Sequence, residues 1–315
     1  MQETIRILII GQSNAFGSGS ATDSGGQAWL DSFPDKTHED LYVWDTRSST
    51  GVNSFGHRDG TGSFQIWDLS LGPDQWQHDE ADRRFTHSMG FSMGKRIQEL
   101  TGARVEVIVA AIGGQPIQQF LPGGSVYAQL QGRLANSGWP SSSVNRIIFM
   151  QGENDNGSDD STYGGQFDQF RSTLSTFDQI DDQTPMSVVE LIDGPLDARN
   201  SYLQTLPERT DYRFSFLETG NLPSRGDSIH YSNDSLEIIG KSHLAPDFFR
   251  GGSYVIFEPT LKMVSVSNEG NDAVVSFNGS ILESSLDLET WTPITGATSP
   301  HTEPMTSPQK FYRSK

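Results

Sequence analysis

Four short apolar runs that end beside glycine constrain the fold more than any other feature of the sequence. They are Ile5–Ile10, Val105–Ala111, Arg146–Met150 and Met186–Ile192, and a glycine follows each within two residues. Short runs rich in β-branched residues, without polar alternation, are typical of strands buried on both faces of a parallel sheet. A weaker fifth run covers Tyr212–Leu217. These runs predict a central parallel sheet.

Segments with helical periodicity lie between and after these runs. They are Ser88–Leu100, Tyr163–Phe177, Asp197–Thr205 and Leu236–Phe249. Strands that alternate with helices predict an α/β fold in which helices cover both faces of the sheet. In such folds, ligands bind at the edge where the strands have their carboxyl ends. We therefore expect functional residues in the loops that follow the runs.

A long insertion, residues 18–87, is rich in Gly, Ser and Asp and shows little periodicity. Loops of this length inside a compact domain are usually functional. The insertion holds four of the six tryptophans: Trp29, Trp44, Trp67 and Trp76. Their rings either pack beneath the loop or offer a flat face to a sugar. As candidate substrate contacts we take Trp67, Trp76, Gln12 and Gln115.

After residue 252 the pattern changes to short alternating strands separated by turns. We therefore predict two domains, an α/β domain over residues 1–252 and a small β-rich module over 253–315. The module resembles short β-sandwich tails at the ends of secreted bacterial proteins. The first residues, Met-Gln-Glu-Thr, show no basic and apolar leader. The chain is either cytoplasmic or has lost a signal peptide, and the tail favours a secreted or periplasmic protein.

Composition excludes several classes of function. The chain has 40 acidic and 22 basic residues, a formal net charge of −18, which argues against nucleic-acid and anionic-membrane binding. It has no cysteine, so disulfides, zinc–thiolate sites and a cysteine nucleophile are excluded. No apolar run approaches the roughly 20 residues that span a membrane. We expect neither a metal nor another cofactor, and the oligomeric state stays open.

Two separated motifs carry the residue types of a serine hydrolase. Ser13 stands directly after the first apolar run within Gly-Gln-Ser-Asn, where a turn can expose its hydroxyl beside backbone N–H groups. Asp227 and His230 lie in Asp-Ser-Ile-His, just before the last helix. Acyl transfer needs a base for the serine proton and a carboxylate that orients this base. Either motif alone is weak, but together they indicate a Ser-His-Asp site.

Four sequence blocks resemble those of the SGNH (GDSL-like) hydrolases and occur in the same order. They are GQSNAFG (11–17), AAIGGQPI (110–117), QGENDN (151–156) and the block beginning DSIHYSND (227–234). The GQSN form of the first block is typical of the branch with sialate O-acetylesterases and carbohydrate esterase family 6. The resemblance spans residues 5–250, about four-fifths of the chain.

The resemblance implies a flavodoxin-like, three-layer α/β/α fold with Ser13 as nucleophile, His230 as base and Asp227 as its partner. It also implies an oxyanion hole that contains the N–H groups of Ser13 and Gly114 and one side-chain amide. That amide belongs to Asn154 in the general pattern, which we favour slightly, and to Gln151 in the GQSN branch. Donors aimed at a tetrahedral oxygen are worth roughly 3–4 kcal/mol each.

The expected function is a serine esterase that removes acetyl groups from a carbohydrate. Two alternatives are a general short-chain lipase or arylesterase of the same superfamily and a non-catalytic carbohydrate-binding protein. Polar, Gly- and Gln-rich loops around the blocks disfavour the lipase, because an acyl-chain channel should be apolar. The presence of all three triad residue types disfavours a binding protein. The sequence leaves the sugar and its linkage open.

Overall fold

The structure is a computed structural model that describes residues 4–17, 36–46, 60–69, 89–155, 157–192, 196–249, 264–269, 272–277, 281–286, 290–304 and 310–314. Its main feature is a seven-stranded sheet with flanking helices. The strands are β1 (Thr4–Gly11), β2 (Thr37–Asp45), β3 (Ser63–Asp68), β4 (Arg104–Ala111), β5 (Arg146–Met150), β6 (Met186–Val189) and β7 (Phe214–Leu217). Their order is β3-β2-β4-β1-β5-β6-β7.

All neighbouring strands in this sheet are parallel except β2 and β3, which pair antiparallel. The predicted α/β fold with a central, mostly parallel sheet is confirmed. In β5 every residue is buried, as expected for a strand covered on both faces. The sequence runs give the position of β1, β4 and β5 to within one residue at either end.

The described helices follow the strands. They are α1 (Ser13–Phe16), α2 (Met89–Thr101), α3 (Ser125–Asn136), α4 (Asp160–Leu174), α5 (Asp197–Leu203) and α6 (Asn233–Ile238), which continues through a π-helical turn (Ile239–Leu244) into α7 (Ala245–Phe248). Gly240 in the π-helical turn packs closely on α2, because a Cβ there would lie 2.2 Å from the carbonyl oxygen of Met89. The final predicted helix is therefore continuous but not purely α-helical.

The structure corrects two sequence predictions. The interpretation of residues 18–87 as one long loop is wrong, because β2 and β3 lie there and form one end of the sheet. Their pattern is weak because both strands are half exposed: β2, which lies between the edge strand β3 and β4, buries only Leu41 and Trp44. Helix α3 was also missed, although Val126, Leu130 and Leu134 have helical spacing and are buried.

Two further sheets form near the C-terminus. Their strands are β8 (Val264–Glu269), β9 (Asp272–Phe277), β10 (Leu282–Ser285), β11 (Thr292–Pro293), β12 (His301–Pro304) and β13 (Phe311–Ser314), in the orders β12-β9-β8 and β11-β10-β13. All four pairs are antiparallel, so the predicted β-rich C-terminal module is confirmed. The strand predicted at residues 254–257 lies outside the described residues. The domain boundary at residue 252 stays a prediction.

The C-terminal strands contact the main core through Phe311. Its ring meets that of Phe249 edge-on, with the centroids 6.2 Å apart, and both rings are buried. Phe249 follows directly on Phe248, whose carbonyl accepts a hydrogen bond from Arg146, the first residue of β5. The contact therefore lies on the side of the sheet where the strands begin, opposite Ser13.

Replacing Phe311 by Ala should lower the free energy of unfolding by about 3 kcal/mol, because it removes a buried ring and leaves a cavity against Phe249. Urea denaturation followed by circular dichroism measures the change. Leu286→Ala is the matched control, since Leu286 is 61% exposed and its loss should cost little. Equal stabilities of the two variants would show that the Phe311 contact contributes nothing.

Candidate active site

Ser13 owes its position to the close approach of β1 and β5. A Cβ at Gly11 would lie 2.0 Å from the carbonyl oxygen of Met150, so only glycine permits this approach. The next N–H group, of Gln12, donates a hydrogen bond to the same carbonyl (3.2 Å). Ser13 then begins the short helix α1 at the carboxyl edge of the sheet. This is the edge where the fold predicts ligand binding.

Asp227 and His230 lie in a tight turn that a hairpin-like loop presents to Ser13. The loop is closed by a hydrogen bond from the Arg225 N–H to the His230 carbonyl (2.9 Å). One oxygen of Asp227 accepts the backbone N–H groups of Ile229 (3.0 Å) and His230 (2.8 Å). Ser228 has a φ of +60°, a left-handed conformation that is strained for a residue with a Cβ. Such strain is often found at functional sites.

The three side chains predicted as a triad form one continuous chain of contacts. The Nε2 atom of His230 lies 2.7 Å from the Ser13 Oγ, and its Nδ1 atom lies 2.7 Å from an oxygen of Asp227. Partial burial raises the pKa of Asp227, but hydrogen bonds from His230, Arg225 and the backbone outweigh it and hold that pKa well below its usual range. An ionised Asp227 places the imidazole proton on Nδ1 and leaves Nε2 free to accept the serine proton.

Asn14 joins the segments that carry these groups. Its fully buried amide donates to a carboxylate oxygen of Glu153 (2.9 Å) and to the carbonyl of Ile229 (3.0 Å). Its amide oxygen accepts the N–H of Tyr231 (3.0 Å). Because Ile229 and Tyr231 flank His230, these bonds hold the histidine relative to Ser13.

Glu153 is the buried carboxyl group of this arrangement. Burial raises the pKa of Glu153 to about 7, although hydrogen bonds from the backbone and from Asn14 work in the opposite direction. Its second oxygen is buried with no hydrogen-bond partner among the described residues. Taking a charged carboxylate into such a site is costly, so the neutral form is favoured. Near neutral pH, Glu153 therefore changes between its two protonation states.

The two candidate side-chain amides of the oxyanion hole have different surroundings. Asn154 is exposed, and its amide donates one hydrogen to the Gly114 carbonyl (2.7 Å), while its second hydrogen has no partner among the described residues. Gln151 is fully buried, and its amide contacts Asp155 and the carbonyl of Gln115. Gly114 is exposed with a φ of +69°, and a Cβ there would meet no atom within 4 Å. The geometry favours Asn154 as the available amide.

The structure separates the four candidate substrate contacts. Gln12 is 1% exposed, and its side-chain oxygen accepts the N–H of Gly152 (3.2 Å), so it supports the loop rather than facing a substrate. Trp67 is buried, edge-on against Phe91, with no open ring face. Gln115 is partly exposed and stays a candidate. Trp76 lies outside the described residues.

Sequence reasoning singled out neither Asn14 nor Arg225. Asn14 belongs to the first block, directly after Ser13, so its position was a usable signal. Arg225 donates to Asp227 from two residues upstream (2.7 Å), a spacing that carries no signal by itself.

In the part of the chain that the structure describes, no group of three or more His, Asp or Glu side chains could hold a metal ion. Within the same ranges, no helix is both long and apolar enough for a membrane span.

The shifted Glu153 should make stability depend on pH. Its pKa is higher in the folded protein, about 7, than the ordinary value of 4.5, so the folded state binds more protons and its stability falls as pH rises between these values. In Glu153→Gln, the free energy of unfolding should fall by less over this pH range, and the difference should be on the order of 3 kcal/mol. Urea unfolding at pH 4 to 8 measures it, with exposed Glu218→Gln as control. An unchanged slope in Glu153→Gln would contradict the prediction.

The chain is similar to known proteins in family and in fold. A family model described as carbohydrate esterase, sialic acid-specific acetylesterase, matches residues 4–249. Among solved structures, a protein from Arabidopsis thaliana is similar with a TM-score of 0.61 and 16% identity, over 80% of this chain and 99% of that one. No curated protein sequence matches.

Two further solved structures have the same fold. A carbohydrate acetylesterase from Xanthomonas citri has a TM-score of 0.54 and 16% identity, over 98% of this chain and 74% of that one. NanS has a TM-score of 0.52 and 12% identity, over 78% of this chain and 97% of that one. At such identities the likeness shows a common fold, whereas the family match covers most of the chain.

Proposed function

The chain belongs to the carbohydrate esterase family of sialic acid-specific acetylesterases, and from this premise we propose that it removes O-acetyl groups from a carbohydrate with Ser13 as nucleophile. The observation that carries the proposal is the unbroken chain from the Ser13 hydroxyl through His230 to Asp227, with both contacts at 2.7 Å. Enzymes of this family are carboxylic ester hydrolases. The same three side chains can carry every proton transfer of that reaction.

In the first half of the reaction, Ser13 attacks the acetyl carbonyl carbon. As the Oγ–C bond forms, His230 Nε2 takes the hydroxyl proton, and Asp227 stabilises the resulting imidazolium through Nδ1–H. The carbonyl oxygen becomes an oxyanion. The tetrahedral intermediate then collapses, the bond to the sugar oxygen breaks, and His230 returns its proton to that oxygen. The products are a free sugar hydroxyl and acetyl-Ser13.

In the second half, water replaces the sugar. His230 takes a proton from the water while the water oxygen attacks the acetyl carbonyl carbon of acetyl-Ser13. Collapse of the second intermediate releases acetate and returns the proton to Ser13. Every proton moves between Nε2 and the reacting oxygens, so neither a metal nor another cofactor is required by the scheme.

The oxyanion of both intermediates needs donors that are already in place. We assign this role to the N–H groups of Ser13 and Gly114 and to the Asn154 amide. Asn154 is preferred over Gln151 because its side chain is exposed and its second amide hydrogen meets no acceptor in the described part of the chain, whereas the Gln151 amide is fully buried and already bonded. Preorganised donors act mainly in the transition state, where the negative charge develops.

The proposed substrate is an acetylated carbohydrate, with the sugar left open. Family membership supports this class, and so does the structural neighbour from Xanthomonas citri, a carbohydrate acetylesterase. The surroundings of Ser13 are also polar, with Asn154, Gly114 and Gln115 at least partly exposed. Secretion belongs to the same proposal, because polymeric carbohydrates are met outside the cell.

The purified chain should release acetate from acetylated xylan or O-acetylated sialic acid and should cleave 4-nitrophenyl acetate far faster than the octanoate. Each methylene without an apolar place to bury forfeits up to about 0.8 kcal/mol of binding. Ser13→Ala should lose this activity while keeping its circular dichroism spectrum, because the nucleophile is gone. Preference for octanoate would favour a lipase, and near-normal turnover by Ser13→Ala would disprove the nucleophile.

Asn154→Ala and Gln151→Ala should separate the two candidate amides. Losing an oxyanion donor should lower kcat by roughly 10²-fold with little change in KM, and we expect this of Asn154→Ala. Gln151→Ala should act mainly on stability, because it removes a buried amide that bonds both Asp155 and the Tyr163 hydroxyl. Steady-state kinetics gives kcat and KM of both variants, and urea unfolding gives their stabilities. The reverse assignment of the two effects would move the donor to Gln151.

A further inference from the structure

Arg225 is a cation that contacts both partners of Ser13 and has no part in the proposed mechanism. Its Nε atom donates to an oxygen of Asp227 (2.7 Å), and its Nη2 atom lies 3.0 Å from His230 Nδ1. The Arg225 N–H also donates to the His230 carbonyl at 2.9 Å, so the residue is fixed at the base of the turn. Its side chain is 28% exposed.

Arg225 and His230 share a single oxygen of Asp227. The His230 Nδ1 atom is 2.7 Å from this oxygen and donates to it, since the carboxylate is ionised. The guanidinium therefore faces an N–H group rather than a free nitrogen lone pair. It cannot donate to Nδ1, and it stands as a positive charge beside a ring that becomes positive during the reaction.

A cation in this position has two effects on the histidine. It repels the protonated imidazolium directly, and it neutralises part of the Asp227 charge that would stabilise the imidazolium. Both effects depend on the charge of Arg225 and not on the shape of its side chain. A protonated His230 cannot act as a base, so activity at acidic pH depends on this balance.

We infer that Arg225 holds the Asp227 carboxylate in place and, as a cation beside His230, keeps the imidazole available as a base at more acidic pH than Asp227 alone would allow. This inference rests on the proposed mechanism. Arg225 is a positioning residue, because it touches neither the substrate nor the reacting oxygens.

The other charged groups connected to His230 act at a greater remove. Glu153, on the loop after β5, reaches it through Asn14, which bonds the carbonyl of Ile229. Glu190, which follows β6, reaches it through Thr219, whose hydroxyl lies 2.8 Å from that of Tyr231. Ser13 and Gly114 bring no charge. Among the residues that the structure describes, Arg225 and Asp227 are the charged groups in direct contact with Nδ1.

A purely structural role for Arg225 would give a different result. If Arg225 only held the turn, its loss would lower activity by the same factor at every pH. If its charge acts on His230, neutral variants should shift the acid limb of kcat/KM, the pH range in which activity rises. The direction of that shift is upward, since removing the cation makes protonated His230 more stable.

The experiment measures kcat/KM for 4-nitrophenyl acetate between pH 5 and 8. Arg225→Gln and Arg225→Met should move the acid limb up by about 0.5–1 pH unit. Arg225→Lys, which keeps the charge, should stay near the wild-type limb. Circular dichroism checks folding of each variant, and having two neutral variants guards against the failure of either one.

Arg209→Gln is the matched control. Arg209 also pairs with an Asp two residues later, Asp211, at 2.7 Å, and its side chain is 27% exposed, but it contacts neither His230 nor Asp227. Its loss should leave the acid limb in place. Loss of an arginine–aspartate pair alone is thereby separated from loss of the charge beside His230.

If the acid limb of the neutral variants stays in place or moves to lower pH, the inference is wrong. So would a Lys variant that shifts as far as the neutral ones, since geometry rather than charge would then be responsible. Ser13→Ala keeps these outcomes apart from failure of the proposed function. If Ser13→Ala is inactive and the limb of Arg225→Gln stays in place, only the role of Arg225 is wrong.

Discussion

The arrangement around Ser13 depends on the hydrogen bonds of one buried amide, that of Asn14. This side chain bonds Glu153 on the loop after β5 and the backbone on either side of His230. Buried amides must have their donors and acceptors satisfied, so the three segments can come together in few other ways. The distance between Ser13 and His230 follows from this constraint, since Asn14 is covalently next to Ser13.

Two carboxyl groups of the site have opposite protonation preferences for physical reasons that the structure makes plain. Burial raises the pKa of Glu153, and its second oxygen has no partner among the described residues. Asp227 accepts hydrogen bonds from Arg225, His230 and the backbone, and its pKa is lowered although it is partly buried. An ionised carboxylate can therefore contact His230 directly, while a carboxyl group whose neutral form is favoured by burial is connected to the same turn only through Asn14.

The sheet separates the two ends of the molecule. The loops after β1 and β5 carry Ser13 and the candidate oxyanion donor Asn154 at the carboxyl edge. The aromatic contact of Phe249 with Phe311 attaches the C-terminal strands at the other side. Parallel strands produce this division, because all their carboxyl ends point the same way.

The sequence by itself determined the central strands, the candidate nucleophile, the candidate base and the carboxylate that orients this base. The apolar runs of β1, β4 and β5 are unambiguous because both faces of these strands are buried, and the blocks with Ser13, Asp227 and His230 are local patterns. Strand β2 and the edge strand β3 escaped prediction, since half-exposed strands have weak periodicity. Helix α3 escaped it although its spacing was a readable local signal.

Only the tertiary structure decided the surroundings of each side chain. It buried Trp67 and Gln12, left Asn154 exposed while enclosing Gln151, and placed Arg225 against Asp227 and His230. None of these outcomes can be read from a residue and its neighbours along the chain. Burial and hydrogen-bond partners are set by segments far apart in sequence, and they decide which of several similar polar groups is free to meet a substrate.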